Sequence, residues 1–336
     1  MSLEDKIDIV KSILKDKDVA IAFSGGADST LLAYLSSEVS KSTFAITIDN
    51  HLMPTDFIEY TKRVCDSFEI EHHIIDLNFY KDEDFLLNDS KRCFTCRNMM
   101  YNEIRKVAYE NNFNFICDGN NISDLISDRP GILIIYENEF ETPLIKARLT
   151  TKEIHEYLDK NNIPYSKSTT CLATRIPTDT PITKEKIERI SYCEDYILKN
   201  TECEIVKVRD FEKFSICEVD KINEIIKDDK FKQINNELKS KGYEKVTLNL
   251  SQIEDDEEIL IDHNEGSFSY KLPFTINLEN TKRQLQDEII FENIEKIELE
   301  KITIFENGLI CGRNLENKKK ALDSFMNILP KLRRNI

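Results

Sequence analysis

Val19-Ala20-Ile21-Ala22-Phe23 runs straight into Ser24-Gly25-Gly26-Ala27-Asp28-Ser29-Thr30, and Leu31, Leu32, Tyr34 and Leu35 follow at helical spacing. A short unbroken apolar run of this kind is buried on both faces of a parallel sheet. The order is therefore strand, glycine turn, helix. Paired glycines at that point let backbone N–H groups approach phosphate oxygens, and the helix N-terminus adds its partial positive charge. Ser24, Ser29 and Thr30 add hydroxyl donors. Asp28 would repel a phosphate unless a divalent cation bridged the two, so Mg²⁺ is implied. The plain alternative is an ordinary Ser-Gly-Gly connection, but the strand before and the helix after are the context that a phosphate loop requires.

Working outward, the same alternation returns. Ile7, Val10, Ile13 and Leu14 share one stripe of a helix over residues 4–16. Further strand and helix units are predicted at Thr43–Ile48 with 56–68, at His72–Leu77, and at Phe113–Cys117 after a helix around 98–110. The fold class is α/β, a doubly wound parallel sheet over residues 1–178 with ligand sites beyond the carboxyl ends of its strands. A smaller α+β unit is expected over 179–256. In it Thr183 caps a helix from Lys184 to about Lys199, strands lie at Glu204–Arg209, Phe214–Val219 and Glu244–Leu250, and a helix spans 221–241. The acidic run Glu254-Asp255-Asp256-Glu257-Glu258 marks the next boundary. Residues 257–336 then form a C-terminal extension with a hairpin, Glu298–Phe305 and Leu309–Arg313 about Asn307-Gly308, and a helix from about Lys318 to Leu329.

Composition bounds the partners. Of 336 residues 32% are charged and 40% hydrophobic, with 8 Gly and 8 Pro, which describes an ordered chain able to build a core. The formal charge of −16 disfavours long nucleic acid, whose binding needs Lys and Arg to neutralise phosphates. A small anionic nucleotide is compatible with it, because local cations and amides suffice. No apolar run approaches the ~20 residues of a membrane span, and the acidic start Met1-Ser2-Leu3-Glu4-Asp5 is unlike a signal peptide, so the expected location is cytoplasmic. Nine cysteines, an odd number, point to thiol or metal chemistry rather than a disulfide framework.

Three more motifs carry chemistry. Arg92-Cys93-Phe94-Thr95-Cys96-Arg97 contains a C-x-x-C pair, and with a distant third cysteine this is a ligand set for an iron–sulfur cluster as much as for zinc. Asp118-Gly119-Asn120-Asn121, with Asp124 and Asp128-Arg129-Pro130-Gly131, follows an apolar strand, where Asp118 is placed to hold Mg²⁺ or a ribose. The third is Cys171-Leu172-Ala173-Thr174-Arg175-Ile176-Pro177. Arg97, Arg129 and Arg175 are candidates for binding carboxylate or phosphate, since a guanidinium meets either in a bidentate way. For each of them a surface ion pair is the bland alternative.

The glycine loop resembles that of the PP-loop, or N-type ATP pyrophosphatase, superfamily, whose fold is of the adenine nucleotide alpha hydrolase-like type. In order and spacing the four motifs resemble the LarE family of ATP-dependent sulfur transferases, from about residue 5 to about residue 252. The resemblance implies that ATP adenylates a carboxylate of pyridinium-3,5-biscarboxylic acid mononucleotide on the way to the nickel-pincer nucleotide cofactor. It implies binding of ATP and Mg²⁺ by Ser24, Gly25, Gly26, Asp28, Ser29, Thr30, Asp118 and Gly119, with Arg97, Arg129 and Arg209 as further contacts and Asp28, Cys171 and Arg175 in the chemistry. Cys171 matches the sulfur-supplying cysteine. Some members hold a [4Fe-4S] cluster with three cysteines, here Cys93, Cys96 and Cys171, and the implied sulfur is then a cluster-bound sulfide. A homo-oligomer, and a sulfur donor or other cofactor-pathway proteins as partners, are implied as well. The rivals are a tRNA thiolase, which the acidic charge disfavours, and an ATP-dependent C–N ligase, which has no need of three such cysteines.

Overall fold

The structure is a computed structural model and describes residues 1–127, 140–167, 170–253, 261–264 and 267–335. The acidic run 254–258 lies outside the described residues, as do Asp128, Arg129, Pro130 and Gly131.

The first sheet holds β1 (Asp18–Ala22), β2 (Ser42–Asp49), β3 (Glu71–Asp76) and β4 (Phe115–Cys117) in the order β3-β2-β1-β4, all parallel. Period-two alternation decides which side chain goes to which face. Ala20, Phe44, Ile46, Ile48 and Ile116 join Tyr101, Ile104 and Ala108 of the long helix α5 (Arg92–Glu110), which follows α4 (Glu83–Leu87). Val19, Ile21, Ala45 and Cys117 pack on the opposite face with α1 (Leu3–Leu14), α2 (Ala27–Val39) and α3 (Phe57–Ser67), and with the helix Thr151–Lys160. Both faces are covered, so the sheet is doubly wound as expected.

A second sheet pairs β5 (Val206–Phe211) antiparallel with β6 (Phe214–Val219), and β6 parallel with β7 (Lys245–Leu248). The helix Lys184–Asn200, capped by the Thr183 side chain at Lys186 N, covers it. The helix expected over 221–241 is two helices, Ile222–Ile226 and Lys230–Ser240. Asp229 separates them at φ 59°, a left-handed conformation that aspartate tolerates better than most residues and that ends a helix.

The C-terminal residues form a third, antiparallel sheet in the order β10-β11-β12-β13-β9-β8. Its strands are β8 (Asp262–Asn264), β9 (Ser267–Lys271), β10 (Phe291–Glu292), β11 (Lys296–Glu298), β12 (Ile302–Phe305) and β13 (Leu309–Arg313). The strand expected over Glu298–Phe305 is the end of one strand and the whole of another. Leu299 N–H donates to the Ile302 carbonyl at 2.7 Å, closing a turn on the polar pair Glu300-Lys301. The Asn307-Gly308 turn is present, with Gly308 at φ 88°.

This sheet does not stand apart. Its buried residues Ile304 and Ile310, with Phe325 and Ile328 of the helix Lys318–Ile328, belong to the same apolar cluster as the α5 face of the first sheet. The contact runs through α6 (Ile122–Ile126), whose Ile122, Leu125 and Ile126 share that cluster with Leu329 and Leu332. Phe325 is 1% exposed, and a side chain on Gly312 would collide with Leu315 Cδ1 and crowd the Phe325 ring at 3.3 Å. Phe325→Ala is expected to lower stability by about 3–5 kcal/mol, the usual cost of emptying a buried aromatic site. Urea denaturation followed by circular dichroism measures it.

Candidate active site

The chain builds β1, β2 and β3 in one direction across the sheet and then returns to place β4 on the other side of β1. A crevice opens beyond the carboxyl ends of parallel strands where the order reverses in this way. Residues 24–30 follow β1 and residues 118–121 follow β4, so both motifs meet at this reversal.

The loop is held in shape by its own polar groups. Gly25 has φ 71°, and its carbonyl accepts from Ser166 N–H at 2.9 Å. Ser24 N–H donates to Ser29 Oγ at 3.2 Å, and Ser29 Oγ–H reaches the Gly26 carbonyl, also at 3.2 Å. Gly26 caps α2 without any side-chain bond to the first turn, which leaves amides of that turn for an anion. The Thr30 hydroxyl is buried with no hydrogen-bond partner, and so is the Tyr60 hydroxyl, whose ring packs 3.1 Å from where a Gly25 side chain would start. Orphaned buried donors around a glycine cradle fit a nucleotide phosphate.

Asp118 and Gly119 form the opposite wall. A Cβ on Gly119 would stand 2.9 Å from Ser29 N, so only glycine permits this approach. Asp118 is 2% exposed and both its oxygens are engaged. Asn120 N–H donates to Oδ1 at 3.0 Å, while Tyr101 Oη–H donates to Oδ2 at 2.6 Å and the Asn120 side chain also reaches Oδ2. Arg97 Nη2 donates to Tyr101 Oη at 2.6 Å and Asn120 Oδ1 at 2.8 Å, and lies 3.5 Å from Asp118 Oδ2. Burial raises the Asp118 carboxyl above its ordinary value, against the pull of Arg97 and Tyr101. Arg97 thus links the wall of the phosphate loop to the cysteine-bearing end of α5.

That helix begins at Arg92 rather than near residue 98, which places Cys93 and Cys96 one turn apart at its start. Cys93 is exposed, whereas Cys96 and Cys171 are half-buried and pack against one apolar cluster with Phe79, Phe85 and Leu172. Burial pushes the Cys171 thiol up to about 11, with Arg92 pulling it down and Cys93 pushing it up. Burial also raises Cys96, with further contributions from Cys171 and Cys93. The three thiols are therefore electrostatic neighbours. Among the described residues no three His, Cys, Asp or Glu side chains are arranged to hold a single metal ion; a set of three thiols is the donor chemistry of a cluster with one iron open.

Arginines fix the Cys171 turn. Arg92 Nη1 donates to the Ala173 carbonyl at 3.1 Å and to the Asn88 side chain, and Arg92 Nη2 to Cys93 Sγ at 3.2 Å. Arg209 Nη1 donates to the Thr174 carbonyl at 2.8 Å while its Nε holds Glu218. Arg175 is 2% exposed and points into the protein, where Nε meets Glu194 Oε1 at 2.7 Å and Nη1 meets Thr170 and Thr174 hydroxyls. A buried pair of this kind keeps its charge only while both partners stay. Of the residues expected from the sequence, the loop, Asp118, Gly119 and Arg97 come together on one side, and Cys93, Cys96, Cys171 and Arg209 on the adjoining side. Arg175 lies behind the latter.

A cavity of about 620 Å³ lies past the carboxyl end of β2, within the range for small-molecule sites. Asp49, His51, Phe57, Tyr80, Leu172 and Glu188 are among its walls. Burial, helped by Glu188 and Cys171, pushes the Tyr80 hydroxyl up to about 12, which places that hydroxyl within the field of the thiol. Sequence reasoning missed Tyr80, and it placed Arg92 and Asn121 within motifs without giving them a role, because their partners lie 81 and 93 positions away.

Two outcomes test the geometry. Gly119→Ala, with its fold verified by circular dichroism, is expected to lose binding of an ATP analogue in calorimetry, since the new methyl displaces the Ser29 amide. The rate of iodoacetamide alkylation at Cys171, read by peptide mass spectrometry, is expected to keep rising toward pH 11, whereas a free cysteine levels off above ~8.5.

Sequence comparison places part of the chain beside known proteins. Residues 2–128 match the family model of the PP-loop domain. An uncharacterized protein of Methanocaldococcus jannaschii is 29% identical over 242 residues, covering 72% of this chain and 92% of its own. An uncharacterized protein of Synechocystis is 27% identical over 255 residues, covering 74% and 94%. Pyridinium-3,5-bisthiocarboxylic acid mononucleotide synthase of Lactiplantibacillus plantarum is 24% identical over 246 residues, covering 70% and 87%. Residues 2–128, which carry the strand, glycine turn and helix described above, are thus similar to the PP-loop domain.

Proposed function

We propose that the protein is an ATP-dependent sulfur transferase that converts a carboxylate of pyridinium-3,5-biscarboxylic acid mononucleotide to a thiocarboxylate. The observation that supports this reading is that Cys93 and Cys96 share helix α5 with Arg97, whose guanidinium reaches Asn120 and Asp118, while Cys171 packs on the same apolar cluster as Cys96. A C–N ligase has no use for them, and the charge of −16 argues against a tRNA acceptor. The name of the Lactiplantibacillus relative agrees with this choice.

In the proposed reaction a carboxylate oxygen of the acceptor attacks the α-phosphorus of ATP, and pyrophosphate leaves. Amides of Gly25 to Ser29 take up phosphate charge, and Asp28 holds Mg²⁺ against it. A sulfur nucleophile then attacks the acyl carbon, and AMP leaves with the former carboxylate oxygen. We propose that Cys93, Cys96 and Cys171 hold a [4Fe-4S] cluster, which when bound would supply a sulfide as that nucleophile. If Cys171 itself is the donor, its Sγ loses its proton and forms a thioester, and removal of the Cα proton by a base with cleavage of the Cβ–Sγ bond releases the thiocarboxylate and leaves dehydroalanine. The buried, raised thiol of Cys171 is mostly protonated at neutral pH, so either route needs a group that takes its proton or replaces it. Arg209, Arg129 and Arg175 keep their assignment as acceptor or phosphate contacts within this proposal; for Arg175 that role requires leaving Glu194.

With ATP, Mg²⁺ and the acceptor, wild type is expected to release pyrophosphate and form thiocarboxylate, and Cys171→Ala to release pyrophosphate alone. Pyrophosphate release that instead requires ammonia would transfer the protein to the ligases. Anaerobic purification adds the second readout. Iron and acid-labile sulfide that disappear in Cys93→Ala, Cys96→Ala and Cys171→Ala establish the cluster, while an iron-free protein whose Cys171 loses the mass of hydrogen sulfide on turnover establishes self-consumption.

A further inference from the structure

We infer that Asn121 is the positioning residue that aims Asp28 at the nucleotide phosphates. This rests on the reading of residues 24–30 as the ATP site, and goes beyond it by assigning a residue that sequence reasoning gave no role.

Asn121 is fully buried, and its amide is divided between two tasks. The oxygen caps α6 by accepting from Ser123 N–H at 2.7 Å, and Asp124 returns the favour by accepting from Asn121 N–H at 2.9 Å. The nitrogen is turned the other way, donating to Asp28 Oδ1 at 3.0 Å and to Thr151 Oγ1 at 3.2 Å. Capping alone uses only the oxygen. The nitrogen ties together the phosphate loop, the segment after β4 and the helix Thr151–Lys160.

Chemistry explains the choice of an amide. A carboxylate that is to hold a cation beside phosphate needs a fixed orientation and its full negative charge. A lysine or arginine at this position would fix the orientation but offset the charge. A neutral N–H donor fixes it and leaves the charge in place. The base that carries Asn121 is itself held, because Gly119 is pressed on Ser29 and α6 is packed against Leu329 and Leu332.

Two substitutions separate positioning from capping. Asn121→Asp keeps an equally good cap but sets a second carboxylate against Asp28. Asn121→Ser keeps a cap but no longer reaches Asp28. Calorimetry with a nonhydrolysable ATP analogue, with and without Mg²⁺, is run beside thermal denaturation. In wild type Mg²⁺ is expected to tighten binding. In both variants that tightening is expected to shrink roughly ten- to a hundredfold, the range for losing a hydrogen bond to a charged group, while Mg²⁺-free binding holds in Asn121→Ser and its melting temperature changes little; Asn121→Asp, with two buried carboxylates, is expected to melt lower. The inference is overturned if either variant keeps the wild-type Mg²⁺ gain, or if both lose Mg²⁺-free affinity and melting temperature in parallel. Wild type that binds no analogue at all would instead overturn the ATP reading itself.

Discussion

The approach of Gly119 to Ser29 is the constraint on which the rest of the site depends. It brings the segment after β4 against the helix that starts after the glycine turn, with no room for a side chain between them. Because β1 and β4 are hydrogen-bonded neighbours, this contact closes the crevice at the point where the strand order reverses. Asp118, Asn120, Tyr101 and Arg97 stiffen one side of it, and Asn121 ties the other side to Asp28. Shift the wall and both motifs lose their shape together.

From that wall the site extends sideways through α5. Arg97 follows Cys96 directly, so whatever orders Arg97 against Asp118 also orders the thiols. Arg92 then spans from the start of the same helix to the Ala173 carbonyl, joining the C-x-x-C pair to the turn that carries Cys171. The buried ion pair of Arg175 with Glu194, which Val208 N–H also bonds at 2.8 Å, anchors the back of that turn to the second sheet. The cysteine motifs and the wall of the glycine loop are thus linked through α5, although their residues come from four distant stretches of chain.

The C-terminal sheet enters this framework from behind. Its core runs into the α5 face of the first sheet and meets α6, the short helix that Asn121 caps. The relatives from Methanocaldococcus and Synechocystis match about three quarters of this chain across nearly all of their own length. The C-terminal sheet packs behind the site through the α5 face of the first sheet and through α6.

Much of this was legible in the sequence. The apolar run, the glycine pair and the polar helix start of residues 19–30 specify local structure, because backbone propensity and phosphate chemistry act over a few neighbouring residues. The parallel sheet, the Thr183 cap and the Asn307-Gly308 turn were legible for the same reason. Where polar turn residues sat inside an apolar stretch, as at Glu300-Lys301 and Asp229, the pattern was read as continuous and the structure broke it. Cys93, Cys96 and Cys171 were also visible as candidates by residue type and spacing. What the sequence by itself determined, then, was the set of local elements and the kinds of group available. Only the tertiary structure decided that Arg175 faces inward to Glu194, that Arg92 spans the cysteine motifs, and that Asn121 reaches Asp28, because partners 81, 93 or 19 positions apart in the chain meet only when strand order and helix packing bring them within bonding distance.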